Sequence, residues 1–282
     1  CPLNVAMKWF PSNKGLVTGV AVAGFGGGAI LLSSLAQYLL YVADWNVLTT
    51  FRLVGLAFGG VALAGGLLLS EPEQSAEEAA AQKELPASIK RQVLSPGFGF
   101  LFLGMFAGTF AGLLTVGNLK PILLKAGFGA NIATLAISIF AVGNAAGRII
   151  WGQVHDRLTS RPTILLSLGS LAVALLPLAF RLPAWITLVA VAIAGAGFGA
   201  CFVVYASSMV QCFGVGLFPR LYPICFLGYG IAGLTGPGIG GRIADATGSF
   251  AAAIILSMAI LAVALLLLAI GFSRVAEPAV AE

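Results

Sequence analysis

Charge is scarce in this chain. Asp, Glu, Lys and Arg together make up 9% of its 282 residues, against about 25% in an ordinary soluble domain. Hydrophobic residues make up 59%, and the mean hydropathy is +1.02. A soluble domain this apolar has too little polar surface to cover itself, which excludes most cytosolic enzymes and every disordered or disulfide-framework class. Histidine is almost missing: His155 is the single one, and one imidazole alone builds no metal site. The four cysteines, Cys1, Cys201, Cys212 and Cys225, form no C-x-x-C pair and lie in or beside apolar runs. They read as small packing residues rather than metal ligands or disulfides. There is no G-x-x-x-x-G-K-[ST] loop of the kind a primary pump needs for its nucleotide. The net charge of +5 is dispersed along the chain, so it carries no nucleic-acid signal, and no nucleic-acid partner is expected.

What the chain has instead is long apolar runs. A membrane-spanning helix needs about 20 such residues, and the runs are continuous rather than alternating, which excludes a transmembrane β-barrel. Eight segments qualify, at roughly 15–40, 48–70, 97–119, 130–154, 163–180, 184–208, 221–244 and 250–273. The fold class is therefore an all-α membrane protein, with the lipid bilayer as its surroundings. Residues 1–10 read as the tail of an earlier span, and the chain opens at Cys1-Pro2 in mid-pattern, as expected of a fragment lacking its true N-terminus. The connections are short except at 71–96, an Ala/Glu/Gln-rich stretch with five of the ten acidic residues. That composition marks a solvated, partly helical linker between two spans before it and six after it.

Lys and Arg in the connecting segments set the expected orientation. Alternate loops give nine on one side (Lys8, Lys14, Lys83, Lys90, Arg91, Arg157, Arg161, Arg220 and Arg274) against five on the other (Arg52, Lys120, Lys125, Arg181 and Arg242). The first side, with the linker and the C-terminus, is expected in the cytoplasm. Glycine is plentiful, at 37 residues, and clusters at Gly24–Gly28 and Gly233–Gly241. In lipid such runs let helices approach closely, and they also let helices slide or bend.

Four strings carry a family resemblance. KWFPSNKGLVTGVAVAGFG (residues 8–26) resembles the loop between helices 4 and 5 of the oxalate/formate antiporter family, close to the monocarboxylate transporters, both within the major facilitator superfamily. AGLLTVGNLKP (111–121) is similar to that family's seventh helix, GRIIWGQVHDR (147–157) to the end of its eighth helix and the superfamily's loop signature, and Tyr222–Gly241 to its eleventh. The resemblance implies a major facilitator-type bundle of an expected twelve helices. Residues 1–70 would then be the end of the N-terminal half, 71–96 the central cytoplasmic loop, and 97–282 the C-terminal six-helix half with a short tail. At Ser12 and Asn13 the chain departs from the family, which usually has an acidic and a basic residue there.

Arg148 is the sharpest candidate for chemistry. It is the only charge between Asn131 and Val154, four residues before Gly152. An arginine at the centre of a span costs about 2.5–3.5 kcal/mol to insert, less near an edge. No Asp or Glu lies within the eight spans, so its counterpart is expected from the substrate, from helices outside this chain, from a nearby loop or from water. The family's helix-8 arginine binds a substrate carboxylate, and Arg148 matches its position. The competing reading is a structural arginine tied to the loop through Asp156.

Tyr229 lies about 12 Å into its span, where by resemblance oxalate carriers have a lysine. One cation instead of two fits a monoanion better than a dianion. Asn144, one turn before Arg148, stands near a position where proton-coupled monocarboxylate carriers place an aspartate. Arg148, Tyr229 and Asn144 are thus the expected substrate-binding residues. Gly152, Asp156, Arg157 and Arg161 form the loop signature, which in the superfamily clamps helix ends and biases one conformation. Asn118, Tyr205, Ser207 and Ser208 are expected to make hydrogen bonds between helices.

The function implied is a secondary transporter of small organic anions, of monocarboxylate or oxalate/formate type, working by alternating access through exchange or facilitated transport. It is not an enzyme, since a membrane enzyme needs a cluster of His, Asp or Glu at membrane depth. The alternatives are a proton-coupled monocarboxylate symporter, or a transport-fold sensor or inactive fragment. A small carboxylate is the expected partner, no cofactor or metal is expected, and the complete protein is expected to be a monomer.

Overall fold

The computed structural model describes residues 42–70 and 85–271 without a break, and isolated positions before Val42. The predicted span at 15–40, the string at 8–26 with Ser12 and Asn13, and the Gly24–Gly28 cluster lie for the most part outside the described residues. The chain divides into two units, residues 1–83 and 84–282.

In the first unit, α1 (Val47–Leu68) is started by Asn46, whose Oδ1 accepts the Leu48 N–H at 2.8 Å. This satisfies one of the four amides a helix start leaves open. The helix is apolar on all sides, as a membrane span is, and Thr50 is its buried residue. Trp9 Nε1 donates to the carbonyl of Ser70 at 2.9 Å, just past its end.

The second unit holds α2 (Leu85–Val93), α3 (Pro96–Lys125), α4 (Ala130–Leu158), α5 (Ser160–Phe180), α6 (Ala184–Gly214), α7 (Gly216–Thr247) and α8 (Ala251–Gly271). Helix α2 falls inside the predicted linker. With α1, the helices α3 to α8 make seven, among the described residues, that are long and apolar enough to cross a membrane. No strand occurs among the described residues. Local chemistry explains the ends. Ser95 caps α3 through Oγ, which accepts the Phe98 N–H at 3.3 Å, with Pro96 at the first helical position, where its missing N–H costs nothing. Gly248, at φ 75°, ends α7, a backbone that glycine adopts without strain.

One boundary differs from the sequence reading. Residues 209–220 were expected to connect two spans, but both helices run on and meet at Gly214 (φ 79°, ψ 163°). Glycine alone adopts that conformation freely, so one residue reverses the chain and Arg220 lies in α7 rather than in a loop.

Helix α6 is the centre of the bundle, and glycine stripes on its neighbours put it there. On α3, Gly104, Gly108 and Gly112 leave the space filled by Tyr205, Cys201 and Phe198. The numbers run in opposite senses, so the two helices are antiparallel. On α4, Gly143 and Gly147 lie against the backbone of Ala192 and Ala196, while Gly195 and Gly199 of α6 lie against the carbonyls of Phe140 and Asn144. Here the numbers rise together, so α4 and α6 are parallel. Two facing G-x-x-x-G pairs thus bring two backbones within a glycine's width, where dispersion and Cα–H···O contacts replace a hydrophobic drive that lipid does not supply. Between α3 and α7, Asn118 Nδ2 donates to Leu114 O at 3.0 Å and Pro237 O at 3.2 Å. Asn118 therefore makes the expected bond between helices. Tyr205 does not: its hydroxyl is buried over Gly104 with no hydrogen-bond partner, because the ring is placed by packing into the glycine stripe. Cys201 and Cys225 are buried free thiols, and Cys212 is a half-buried one.

Candidate functional site

The parallel contact of α4 with α6 decides where Arg148 sits. Arg148 follows Gly147 on α4, and its guanidinium carbon lies 4.8 Å from the centre of the Phe202 ring on α6. That is within the 6 Å at which a ring quadrupole attracts a cation, an interaction of about 0.5–2 kcal/mol. Arg148 is half-buried. Asn144 lies one turn before it, and its backbone carbonyl is the one Gly199 faces. The close backbone approach and the position of Arg148 are thus one arrangement.

Phe202 belongs to a continuous aromatic wall. Phe198 and Phe202 meet edge to face at 5.3 Å between ring centres. Across the hairpin, Phe202 meets Tyr229 at 5.4 Å and Phe226 at 6.2 Å. Phe226 also meets Tyr229 at 5.0 Å and Tyr222 at 5.7 Å. These separations are the ordinary range for paired rings. The wall is positioned by the single-residue reversal at Gly214, which sets 202 opposite 222–229. Tyr222 donates its hydroxyl to the carbonyl of Phe202 at 3.3 Å, fixing the hairpin register at this depth. Tyr229 and Arg148 thus meet the same ring, that of Phe202.

Of the residues expected to bind substrate, Arg148 and Tyr229 are therefore brought together, with Phe202 between them, although 81 positions separate them in the chain. Asn144 is on the same helix as Arg148 and half-buried. The loop-signature residues stand apart, at the far end of α4. Gly152 faces α6, where an added methyl would lie 3.3 Å from Val203 Cγ1. Asp156 and Arg157 are exposed. Arg161 reaches across to α8, where Nη2 donates to the carbonyl of Ala269 at 2.7 Å. That carbonyl is in the last turn of α8, where a helix favours a cation. His155 is buried, 3.2 Å from Ser160 Oγ and 3.3 Å from Ser208 Oγ through Nε2. Ser208 thus makes the expected bond between helices.

Sequence reasoning missed Phe202, Tyr222 and the pairing of His155 with Ser160 and Ser208. An aromatic residue in an apolar helix gives no contrast to read. The G-x-x-x-G pairs at Gly143/Gly147 and Gly195/Gly199 are a visible spacing, but in a chain with 37 glycines that spacing alone does not single them out.

The arrangement offers one guanidinium for an anion, a flat apolar wall beside it and a phenol at its edge. Chemically, a guanidinium fork suits a carboxylate, and a flat apolar wall suits a carbon skeleton. The chain is 26% identical over 245 residues to the oxalate:formate antiporter of Oxalobacter formigenes, which covers 86% of this chain and 58% of that protein. It is 26% identical to human monocarboxylate transporter 11 over 269 residues, 90% of this chain and 56% of that protein. It is also 26% identical to apicoplast pyruvate carrier 1 of Toxoplasma gondii, over 80% of this chain and 53% of that carrier. The chain spans a little over half the length of these relatives. The family model for the Major Facilitator Superfamily matches residues 2–218 and, in a second match, 117–281. Together these matches run nearly the length of the chain, and with the all-helical, membrane-length elements they make it a member of the Major Facilitator Superfamily of transporters.

Proposed function

We propose that this chain is the larger part of a secondary transporter of small organic anions, with monocarboxylates the preferred class, working by alternating access through exchange or facilitated diffusion. The observation that carries this reading is Arg148 held over Phe202 beside Tyr229. A carboxylate would take the guanidinium, and its carbon body would lie against the aromatic wall. The relatives support the class, since their names specify oxalate, formate, monocarboxylate and pyruvate. Asn144 does not titrate, and no Asp or Glu lies within α3 to α7 except Asp156 and Asp245 near helix ends. Spans so poor in titratable acids favour exchange or facilitated transport over proton coupling.

The test is uptake by the full-length protein in liposomes, measured against a panel of mono- and dicarboxylates. Formate, pyruvate and lactate should compete better than oxalate. Tyr229→Lys adds a second cation across the Phe202 ring, and should shift preference toward dicarboxylates by about tenfold, the value of roughly one added charge-assisted bond. A panel in which no carboxylate is transported, or a Tyr229→Lys protein with unchanged selectivity, would refute the reading.

We also read residues 1–70 as the end of the N-terminal half, 71–96 as the central cytoplasmic loop and 97–282 as the C-terminal half. The nine-against-five count of basic residues supports the orientation. Cysteine labels placed in 71–96 and after Arg274 should react from the cytoplasmic side, and labels beside Asp44 and Lys125 from the opposite side. A map that puts Lys83 and Lys125 on one side would overturn the assignment.

A further inference from the structure

The turn from α4 to α5 is made by Thr159, whose backbone has φ 68° and ψ −179°. Only glycine populates that region readily, and a β-branched residue is there only when its surroundings over-determine it. The surroundings do so. Thr159 N–H donates to His155 O at 3.0 Å, and Thr163 Oγ1 donates to Thr159 O at 2.6 Å. Next along the chain, the Ser160 N–H donates to Gln211 Oε1 on α6 at 3.0 Å, so another helix caps one of the open amides of α5.

The protons in this cluster follow from one another. A backbone N–H only donates, so the Gln211 atom facing Ser160 is its oxygen. The Ser160 hydroxyl lies on that same oxygen and spends its single proton there. Its oxygen is then left to accept from His155, 3.2 Å away. Nε2 of His155 therefore carries the hydrogen, and Ser208 Oγ, 3.3 Å from the same nitrogen, is its second acceptor. His155, Ser160 and Ser208 are buried, and Gln211 closes the cluster from its exposed rim.

We propose that His155, Ser160, Ser208 and Gln211 form a latch that holds the strained α4–α5 turn against α6, with His155 as its positioning residue. Strain at Thr159 pushes the turn toward another conformation, and the hydrogen bonds oppose it. His155 is seven residues from Arg148, two turns along the same face of α4. The latch thus fixes the rotation and depth of the helix that carries Arg148. It also holds Asp156 and Arg157 outward at the loop signature. The inference stands whatever the transported species is.

Hydrogen exchange at Thr159 and Ser160, in the full-length protein in nanodiscs, tests it. Gln211→Leu and His155→Leu should each speed exchange there by about tenfold or more, as loss of a hydrogen bond allows local opening. His155→Gln places an amide donor where Nε2–H stood, and should stay within about twofold of the parent. Thr159→Gly removes the strain, so adding it to Gln211→Leu should restore most of the protection at residue 159, whose acceptor is the His155 carbonyl and is kept. Exchange in α8 (Ala251–Gly271) should be unchanged throughout. If His155→Gln exchanges as fast as His155→Leu, the histidine does not act through its donor and the proposal fails. If His155→Leu does not fold, the Thr159→Gly pair decides alone: a double variant as fast as Gln211→Leu overturns the latch. None of these readouts depends on transport, so failure of the carboxylate assignment leaves them intact.

Discussion

Arg148→Ala should lower carboxylate uptake by the full-length protein by about a hundredfold or more. Two charge-assisted hydrogen bonds from a guanidinium to a carboxylate contribute about 1.5–3 kcal/mol each, and about 1.4 kcal/mol is a factor of ten. Arg148→Lys should recover less than about a tenth of the lost rate. An ammonium is a point charge without the two-pronged geometry, and it lacks the flat face that Arg148 lays on Phe202 at 4.8 Å. Phe202→Leu keeps an apolar contact but removes the ring quadrupole, so its effect should be smaller, up to about tenfold. Rates are to be normalised to protein that elutes as a single species in detergent. Uptake by Arg148→Ala at the parent rate and affinity would return Arg148 to a structural role.

The second large effect is on stability, and its sign is diagnostic. Gly199→Ala places a methyl group against the carbonyl of Asn144, with the Arg148 amide nitrogen 3.3 Å away. Those atoms are backbone, so they do not swing aside. Overpacking of this kind costs about 1–3 kcal/mol, and should lower the melting temperature in detergent by several degrees, at roughly 2–4 °C per kcal/mol for a domain of this size. Gly169→Ala is the contrast. Nothing lies within 4 Å of a methyl group at Gly169, and alanine is the better helix former by about 1 kcal/mol, so that variant should be neutral or more stable. Gly199→Ala should also reduce uptake per folded molecule, because the displaced turn carries Arg148 away from Phe202. Equal melting temperatures for the two variants would show that α4 and α6 do not meet as described.

The spans were legible because hydropathy over 20 residues is a strong signal, and Arg148 because a lone charge in an apolar run stands out. Residues 209–220 were misread as a loop because a long apolar helix and an apolar connection look alike. The turning point, Gly214, is one glycine among 37. Thr159 was illegible for a stronger reason: a β-branched residue argues against the backbone it adopts, and only the finished packing explains it. His155 stands alone in the sequence because Ser208, which it meets, is 53 positions away, and Gln211, which holds its other neighbour Ser160, is 51 from that serine. In the same way, the pairing of Arg148 with Phe202 depends on the glycine contact between α4 and α6, which no local pattern around either residue states.

The single-residue reversal at Gly214 also bears on how the protein is made. Helices α6 and α7 are 31 and 32 residues long, and only Gly214 departs from helical geometry between them. A link that short leaves no slack for α6 to settle across the bilayer while α7 waits in water. The short link predicts that the two leave the translocon together as a hairpin, which lets Phe202 meet Tyr222 and Tyr229 early. The aromatic wall beside Arg148 would then be assembled during biogenesis, before α8 has been inserted.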